Sequence, residues 1–238
     1  MTGAEIRAGA RGLMLENAPK IFYISIIFVI IDTVVTELQF RLPGTVPAYY
    51  LFLEQLQAGA LPDIGIFISY LRPPGLALAS VLWLFGGVVR VGFMSYCLKI
   101  SRGQAGEYKD IIDAFAFFMK VILIQIITTV LVFLWSLLFF FPGIAAAYRY
   151  RKAYYILLDD PNKSALQCVR ESKRIMHGNK LDLFLLDLSF FGWFFLNVLV
   201  VVLIPSPFML PFIMIWLSAY VGVSRATFYD IVLGKLAV

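Results

Sequence analysis

Long apolar segments are the feature that most constrains this chain. They cover residues 21–38, 75–98, 120–141, 181–204 and 208–223. An α-helix rises about 1.5 Å per residue, so roughly 20 apolar residues cross the hydrocarbon core of a bilayer. Charged residues make up only 15% of the 238 residues, whereas they make up about 25% of a soluble domain. The pattern predicts an all-α, polytopic transmembrane helical bundle that forms one integral membrane domain over residues 1–238.

The residues 144–158 decide how many membrane segments there are. They follow Pro142 and Gly143, which are predicted to break the third apolar helix, and they carry three basic residues. As a short return crossing they give six segments, with 14 Lys and Arg residues on the cytoplasmic side and 2 outside. As an interfacial segment they give five, with 12 inside and 7 outside. Cytoplasmic loops are enriched in Lys and Arg, which favours six segments with both termini on the cytoplasmic side of a cell membrane.

Shorter segments are predicted to lie at the membrane interface. Residues 2–17 and 107–118 have the pattern of short amphipathic helices. Residues 39–74 are punctuated by Pro and Gly, which are typical of turns and loops. We therefore expect an external loop there, with one or two interfacial helices.

A basic helix is predicted over residues 161–177. Asp159 and Asp160 are suited to cap its start, and Pro161 is suited to its first position. Gly178 is suited to the left-handed residue that commonly follows a helix. These signals predict a helix that stops just before an apolar segment.

The predicted basic helix is amphipathic. Small and apolar residues recur at helical spacing along one face, namely Ala165, Val169, Ser172 and Met176, while other faces carry Lys163, Arg170 and Arg174. One interpretation is a helix on the cytoplasmic membrane surface that contacts anionic lipid headgroups. The other is a docking surface for a soluble protein partner.

Ionisable residues within the apolar segments are the candidates for a functional site. Arg90, Asp32 and Asp187 lie inside predicted spans, and Arg149 lies in the segment 144–158. Charges at bilayer depth are costly and usually face the interior of a helix bundle. They therefore predict either buried ion pairs that fix helix packing or a polar cavity for an anionic headgroup or a carboxylate. Arg90 is expected to point into the bundle and to pair with an acidic side chain such as Asp187 or Asp32.

Other polar and small residues on the spans are more typical of helix packing. Asp182, Ser189 and Trp193 can share one helix face, and the glycines Gly86, Gly87 and Gly92 allow helices to approach closely.

No catalytic constellation is present in the sequence. His177 is the single histidine, which excludes a His-rich metal site, and the usual hydrolase and phosphate-loop motifs are absent. Cys97 and Cys168 have no neighbouring Cys or His at metal-ligand spacing and predict two free thiols. We expect neither an enzyme nor a bound cofactor, and the basic clusters lack the fold motifs of a nucleic-acid-binding module.

One region resembles a known family. The region comprises PGIAAAYRY at 142–150, DDP at 159–161, Ser172, the residues Met176, Gly178 and Lys180, and LDLFLLDLSFFGW at 181–193. It resembles a family of bacterial multi-pass membrane proteins of unknown function, and residues 5–17 and 225–232 fit more loosely. That family is similar to the membrane domain fused to some glycerophosphoryl diester phosphodiesterases. The resemblance implies a helical integral membrane protein and supplies no activity.

Three functions are compatible with these features. The first is a non-enzymatic membrane protein, transporter-like or an accessory subunit, that handles lipid or peptide. The second is a membrane scaffold that recruits a soluble partner through the basic helix 161–177. The third, a lipid-modifying enzyme, is disfavoured because the acidic and basic residues do not converge in sequence. The expected partners are membrane lipids with anionic headgroups and a protein at the cytoplasmic face, with no nucleic acid.

Overall fold

The computed structural model describes residues 3–59, 61, 63–203 and 212–236, in which all regular structure is helical. The helices are α1 Gly3–Glu16, α2 Lys20–Arg41, α3 Thr45–Gln57, α4 Ile64–Tyr70, α5 Pro73–Ser101, α6 Asp110–Asp113, α7 Phe118–Leu138, α8 Phe140–Tyr150, α9 Ala153–Asp159, α10 Ala165–Ile175, α11 Lys180–Leu188, α12 Phe191–Leu203 and α13 Phe212–Leu236. A 3₁₀ turn at Ala114–Phe117 joins α6 to α7. The predicted all-α fold is confirmed. The loop between the segments 181–204 and 208–223, and the start of the second, lie outside the described residues.

Four stretches in the described residues are long and apolar enough to cross a membrane. They are Lys20–Arg41, Pro73–Ser101, Asp110–Leu138 and Lys180–Val200. Each overlaps one of the apolar segments found in the sequence, which is consistent with a multi-pass membrane protein. The third stretch begins in α6, which together with the 3₁₀ turn replaces the separate amphipathic helix predicted over 107–118.

The break after the third apolar helix lies at Phe139. This residue is extended, with φ −162° and ψ 154°, and α8 begins at the next residue. Pro142 lies in the first turn of α8, where its missing N–H leaves no helical hydrogen bond unmade. The break or kink predicted at Pro142 and Gly143 is therefore present but lies earlier, at Phe139, because a proline in the first turn belongs to the start of a helix.

The chain from α8 onwards runs back along α7. Near the break, a Cβ atom at Gly143 would lie only 2.2 Å from Ser136 Oγ, so the two helices are in close contact there. Near the start of α7, Lys120 Nζ donates a hydrogen bond to the carbonyl of Pro161. These contacts show that residues 140–161 return along α7 in the opposite direction.

The return is made by two helices. The segment 144–158 is helical in two pieces, because α8 ends at Tyr150, a turn follows, and α9 begins at Ala153. Neither piece is among the stretches that are long enough to cross a membrane alone. The choice between five and six membrane segments stays a prediction.

Helix α10 begins at Ala165, later than predicted. Ser164 caps it, because its side chain accepts a hydrogen bond from the Gln167 N–H while the Gln167 side chain accepts one from the Ser164 N–H. This reciprocal arrangement satisfies two of the N–H groups that lack partners at a helix start. The start predicted at Pro161 is therefore wrong, and residues 161–164 form a turn after α9.

The predicted inner face of α10 is confirmed. Its inner face is buried, and the residues on it are Ala165, Cys168, Val169, Ser172 and Ile175, with Met176 just beyond the helix. Arg170 and Arg174 are exposed. Gly178 has φ +85°, which confirms the left-handed residue between α10 and α11. Cys97 and Cys168 form no disulfide, which confirms the predicted free thiols. Both side chains are buried.

Contacts divide the chain into two compact units. The expectation of a single membrane domain stays a prediction. One unit is residues 30–87 and the other is residues 1–29 with 88–238. Within the smaller unit, α3 and α4 confirm that the region 39–74 contains helices. In the larger unit, α1 packs against α13 and buries Ile6, Ala10 and Met14, so the predicted N-terminal helix has an apolar face covered by protein.

Candidate functional site

A single carboxylate in α11 binds two arginines. Asp187 has a side chain only 12% exposed. One of its oxygens accepts a hydrogen bond from Arg225 Nε at 2.9 Å, and the other accepts from Arg151 Nη1 and from Tyr148 Oη at 3.1 Å. We call Tyr148, Arg151, Asp187 and Arg225 the Asp187 cluster. It contains two guanidinium cations and one anion, so its net charge is positive.

A buried lysine lies beside this cluster. Lys152 is 1% exposed, and its Nζ donates a hydrogen bond to the Arg225 carbonyl at 2.8 Å. Its ammonium lies 4.7 Å from the ring centroid of Tyr155 and 5.1 Å from that of Phe228, in cation–π geometry.

The residues predicted from the sequence occupy different places. Asp187 does form ion pairs, but with Arg151 and Arg225, which the sequence analysis did not single out. Arg90 is exposed and lines a cavity, although it was expected to point into the bundle. Asp32 is half-buried in α2. The predicted pairing of Arg90 with an acidic side chain stays a prediction.

A largely apolar cavity of about 310 Å³ lies next to the Asp187 cluster. Arg225 belongs to both, because its guanidinium binds Asp187 and the residue also lines this space. We call it the apolar cavity, and its lining residues are Phe28, Arg90, Phe93, Met94, Tyr155, Phe194, Met214, Leu217, Ser218, Val221, Gly222 and Arg225.

A second concave surface is lined entirely by basic residues. It has a volume of about 300 Å³, and we call it the basic groove; its lining residues are Arg149, Arg170, Lys173, Arg174, His177 and Lys180. They come from the end of α8, from α10, from the turn after α10 and from the start of α11. No carboxylate is among these lining residues. The groove therefore presents five permanent cations and one histidine to a ligand.

A buried hydroxyl fixes the groove. Ser172 Oγ accepts a hydrogen bond from the Lys152 N–H at 3.2 Å and donates one to the Arg149 carbonyl at 2.9 Å. These bonds satisfy backbone groups in the turn between α8 and α9 and hold α10 against it. The guanidinium of Arg149 also lies 5.6 Å from the Trp135 ring centroid, a cation–π contact that orients its side chain.

Lys163 differs from the other basic residues predicted to act as contacts. Its Nζ lies 2.8 Å from Glu171 Oε2, and the hydrogen bond with Glu171 raises the pKa of Lys163. Lys163 does not line the basic groove, whereas Arg170 and Arg174 do. Arg174 lies 3.7 Å from the other oxygen of Glu171, which is a weaker contact.

Another network joins three helix ends. Arg102, just after α5, binds Asp159 at 2.7 Å and Asp230 at 2.8 Å, and the Tyr229 hydroxyl donates to Asp159 at 2.7 Å. These residues tie the end of α5 to α9 and α13. The sequence analysis missed this network because its members are far apart in the chain, and a single Arg at a predicted span end gives no signal of its partners.

The remaining polar candidates have roles in helix packing. Ser189 Oγ donates to the Leu186 carbonyl of its own helix, and Trp193 packs against Trp216 with ring centroids 5.1 Å apart. Asp182 and Ser189 line one small cavity of about 230 Å³, so these two side chains do share a face.

One family model matches part of the chain. Residues 140–235 match the model of a family described as a protein of unknown function, DUF975. The match covers less than half of the chain and includes all members of the Asp187 cluster and the basic groove. No curated protein and no solved structure matches the chain. The findings support the resemblance to a family of unknown function, and they give no relation to glycerophosphoryl diester phosphodiesterases.

Proposed function

We propose that this chain is a non-enzymatic integral membrane protein that binds anionic lipid headgroups at the cytoplasmic face through the basic groove. The observation that carries the proposal is the lining of the groove, which consists of six basic residues and no carboxylate. Each Lys or Arg near an anionic membrane surface contributes about 1 kcal/mol of favourable binding free energy. Arginine adds paired N–H donors that match phosphate oxygens. Leu166 on α10 is 54% exposed, which suits a helix that touches lipid.

Changing three groove residues tests this function. In the full chain, the combined substitution Arg170→Gln, Lys173→Gln and Arg174→Gln removes three cations worth about 3 kcal/mol, roughly 100-fold in affinity. We expect that loss for short-chain phosphatidylglycerol bound to the protein in nonionic detergent, measured by native mass spectrometry. Phosphatidylcholine should bind weakly to both proteins, because its headgroup carries no net charge.

Lys163→Gln is the matched control. It removes one cation near the start of the same helix, but that cation already pairs with Glu171 and lies outside the groove. We expect it to leave phosphatidylglycerol binding within about twofold, since paired and exposed charges contribute little. Equal binding of the two lipids to the native protein, or equal losses in the triple and single variants, would contradict headgroup recognition by the groove.

The alternative is a scaffold that recruits a soluble partner through α10. The observation that favours it is that Arg170, Lys173 and Arg174 are exposed on one face of α10, which also suits an acidic protein segment. A soluble protein that co-purifies in stoichiometric amount with the native chain, but not with the triple variant, would support the scaffold over lipid binding.

The proposal places both termini in the cytoplasm. It rests on the six-segment count of 14 basic residues inside and 2 outside. Single cysteines at Thr2 and Ala237 should resist a membrane-impermeant maleimide in whole cells, while a cysteine at Gln57, an exposed position in the region 39–74, should react. The native Cys97 and Cys168 are fully buried and should give little background. Labelling at position 2 without labelling at position 237 would favour the five-segment topology.

A further inference from the structure

The apolar cavity combines a hydrocarbon-like lining with Arg225, an arginine that is paired with Asp187. Most of its lining is aromatic and aliphatic, with Phe93, Leu217 and Val221 buried around it. Arg225 enters this lining from α13 and is bound to Asp187 at 2.9 Å. A cavity of this kind is complementary to a ligand that is apolar over most of its length and charged at one end.

Within the Asp187 cluster, the positive charges outnumber the negative ones. Asp187 is the carboxylate that pairs with both Arg225 and Arg151, so two cations share one anion. The ammonium of Lys152 lies against the Arg225 carbonyl, so another basic group is close by. The side chains of Arg151 and Arg225 are 33% and 27% exposed, and a partly buried positive charge without an equal negative charge is costly beside an apolar cavity. An anion beside Arg225 would restore the balance.

The surroundings of the cavity indicate how a ligand reaches it. Phe28, Phe93 and Phe194 line it from three of the four stretches that are able to cross a membrane. A molecule that enters between such helices comes from the lipid phase. The volume of about 310 Å³ is at the lower end of the range of about 300–1,000 Å³ for ligand pockets, which suits one chain better than two.

We propose that the apolar cavity binds a single-chain anionic amphiphile, with its acyl chain among the aromatic residues and its carboxylate or phosphate paired with Arg225. The cavity shares no lining residue with the basic groove, so this is a second site. The site goes beyond headgroup binding at the groove because it selects for a single chain together with an anionic end.

Three matched amphiphiles test the chemistry of the site. The full chain in nonionic detergent is titrated with palmitate, with palmitoyl lysophosphatidic acid and with hexadecanol, and binding is measured by native mass spectrometry. Charged hydrogen bonds make us expect at least one of the two anions to bind about tenfold more tightly than the alcohol. The anion that binds more tightly identifies the end group as carboxylate or phosphate. If neither anion binds more tightly than hexadecanol, the proposal is overturned.

Variants locate the ligand. Arg225→Gln should reduce the preference for the anion, although Arg90 also lines the cavity, while Asp187 keeps Arg151 and Tyr148 as partners and helps to maintain the fold. Met214→Trp fills part of the cavity from a half-buried position and should weaken binding of the chain without changing Arg225. If Arg225→Gln does not fold, Arg225→Lys replaces it in the experiment. This variant keeps a cation at the position and should retain part of the preference for the anion. Unchanged anion binding in Met214→Trp and in a folded Arg225 variant would overturn the proposal.

The groove variants separate this site from the proposed function. The triple Gln variant at Arg170, Lys173 and Arg174 should bind the single-chain anion as the native protein does, and Lys163→Gln should as well. Loss of amphiphile binding in the triple variant would place the ligand in the groove and overturn a second site. If the groove does not bind phosphatidylglycerol, the proposed function fails, but the binding of the single-chain anion beside Arg225 is tested independently.

Discussion

Replacing Asp187 with alanine is expected to destabilise the protein by about 3–5 kcal/mol, because it leaves two largely buried guanidinium groups without their shared carboxylate. Asp187 is the ion-pair partner of both Arg151 and Arg225, and its side chain is 12% exposed. At roughly 2–4 °C per kcal/mol for a chain of this length, the midpoint of thermal unfolding should fall by about 10 °C. Loss of the main protein peak in size-exclusion chromatography after heating in detergent measures this change.

The same helix provides the control for this experiment. Asp182 is exposed in the first turn of α11, where a carboxylate gains only a favourable interaction with the helix dipole. Asp182→Ala should therefore cost about 1 kcal/mol or less. Arg225→Gln should have an intermediate effect, because Asp187 keeps its other partners. If Asp187→Ala is no more destabilising than Asp182→Ala, the cluster does not stabilise the fold.

Replacing Gly92 with alanine should destabilise the protein by about 3 kcal/mol, at the upper end of the usual cost of overpacking. A Cβ atom at Gly92 would lie 2.0 Å from the carbonyl oxygen of Ile111 and 2.7 Å from its carbonyl carbon. The atoms in the way are backbone atoms of α6, so a side-chain rotation does not relieve the clash. The yield of folded monomer and its unfolding midpoint in detergent are the measurements.

Another helical glycine gives the opposite expectation. A Cβ atom at Gly12 in α1 would have no heavy atom within 4 Å. Gly12→Ala should therefore stabilise the protein by up to about 1 kcal/mol, because alanine favours the helix. Equal effects of the two substitutions would show that the close approach of α5 to α6 is not required for stability.

Hydropathy predicted the apolar helices because helix length and apolar composition are local properties. The segments 21–38 and 75–98 fall within α2 and α5. The sequence also predicted that another element packs closely against Gly92, because a glycine within an apolar helix usually permits close packing. The neighbour of Gly92 was not predictable, because it depends on how α6 folds back.

The charged residues were predicted less well than the apolar segments. Asp187 was expected to form an ion pair and does so, but its partners Arg151 and Arg225 lie at a turn and in the last helix. An ion pair depends on which helices are neighbours, and hydropathy carries no information about that. For the same reason, Lys163 and Arg170 were indistinguishable in sequence, whereas the structure pairs Lys163 with Glu171.

Helix boundaries failed where two local signals competed. Asp159, Asp160 and Pro161 together resemble a helix start, but Ser164 and Gln167 form a reciprocal cap three residues later. The capping box satisfies two N–H groups, whereas a single Asp caps one. Asp159 is instead engaged by Arg102 and Tyr229, a tertiary interaction that a local pattern does not reveal.

The turn between α8 and α9 also sets an order of assembly during synthesis. Arg151 precedes its partner Asp187 by 36 residues, and Lys152 precedes the Arg225 carbonyl by 73. When the ribosome has completed α8 and α9, the groups that will bind these two cations have not yet been made. Until α11 and α13 emerge, the cations must stay in contact with water or with lipid phosphates. The Asp187 cluster can therefore be completed only after α13 has been synthesised.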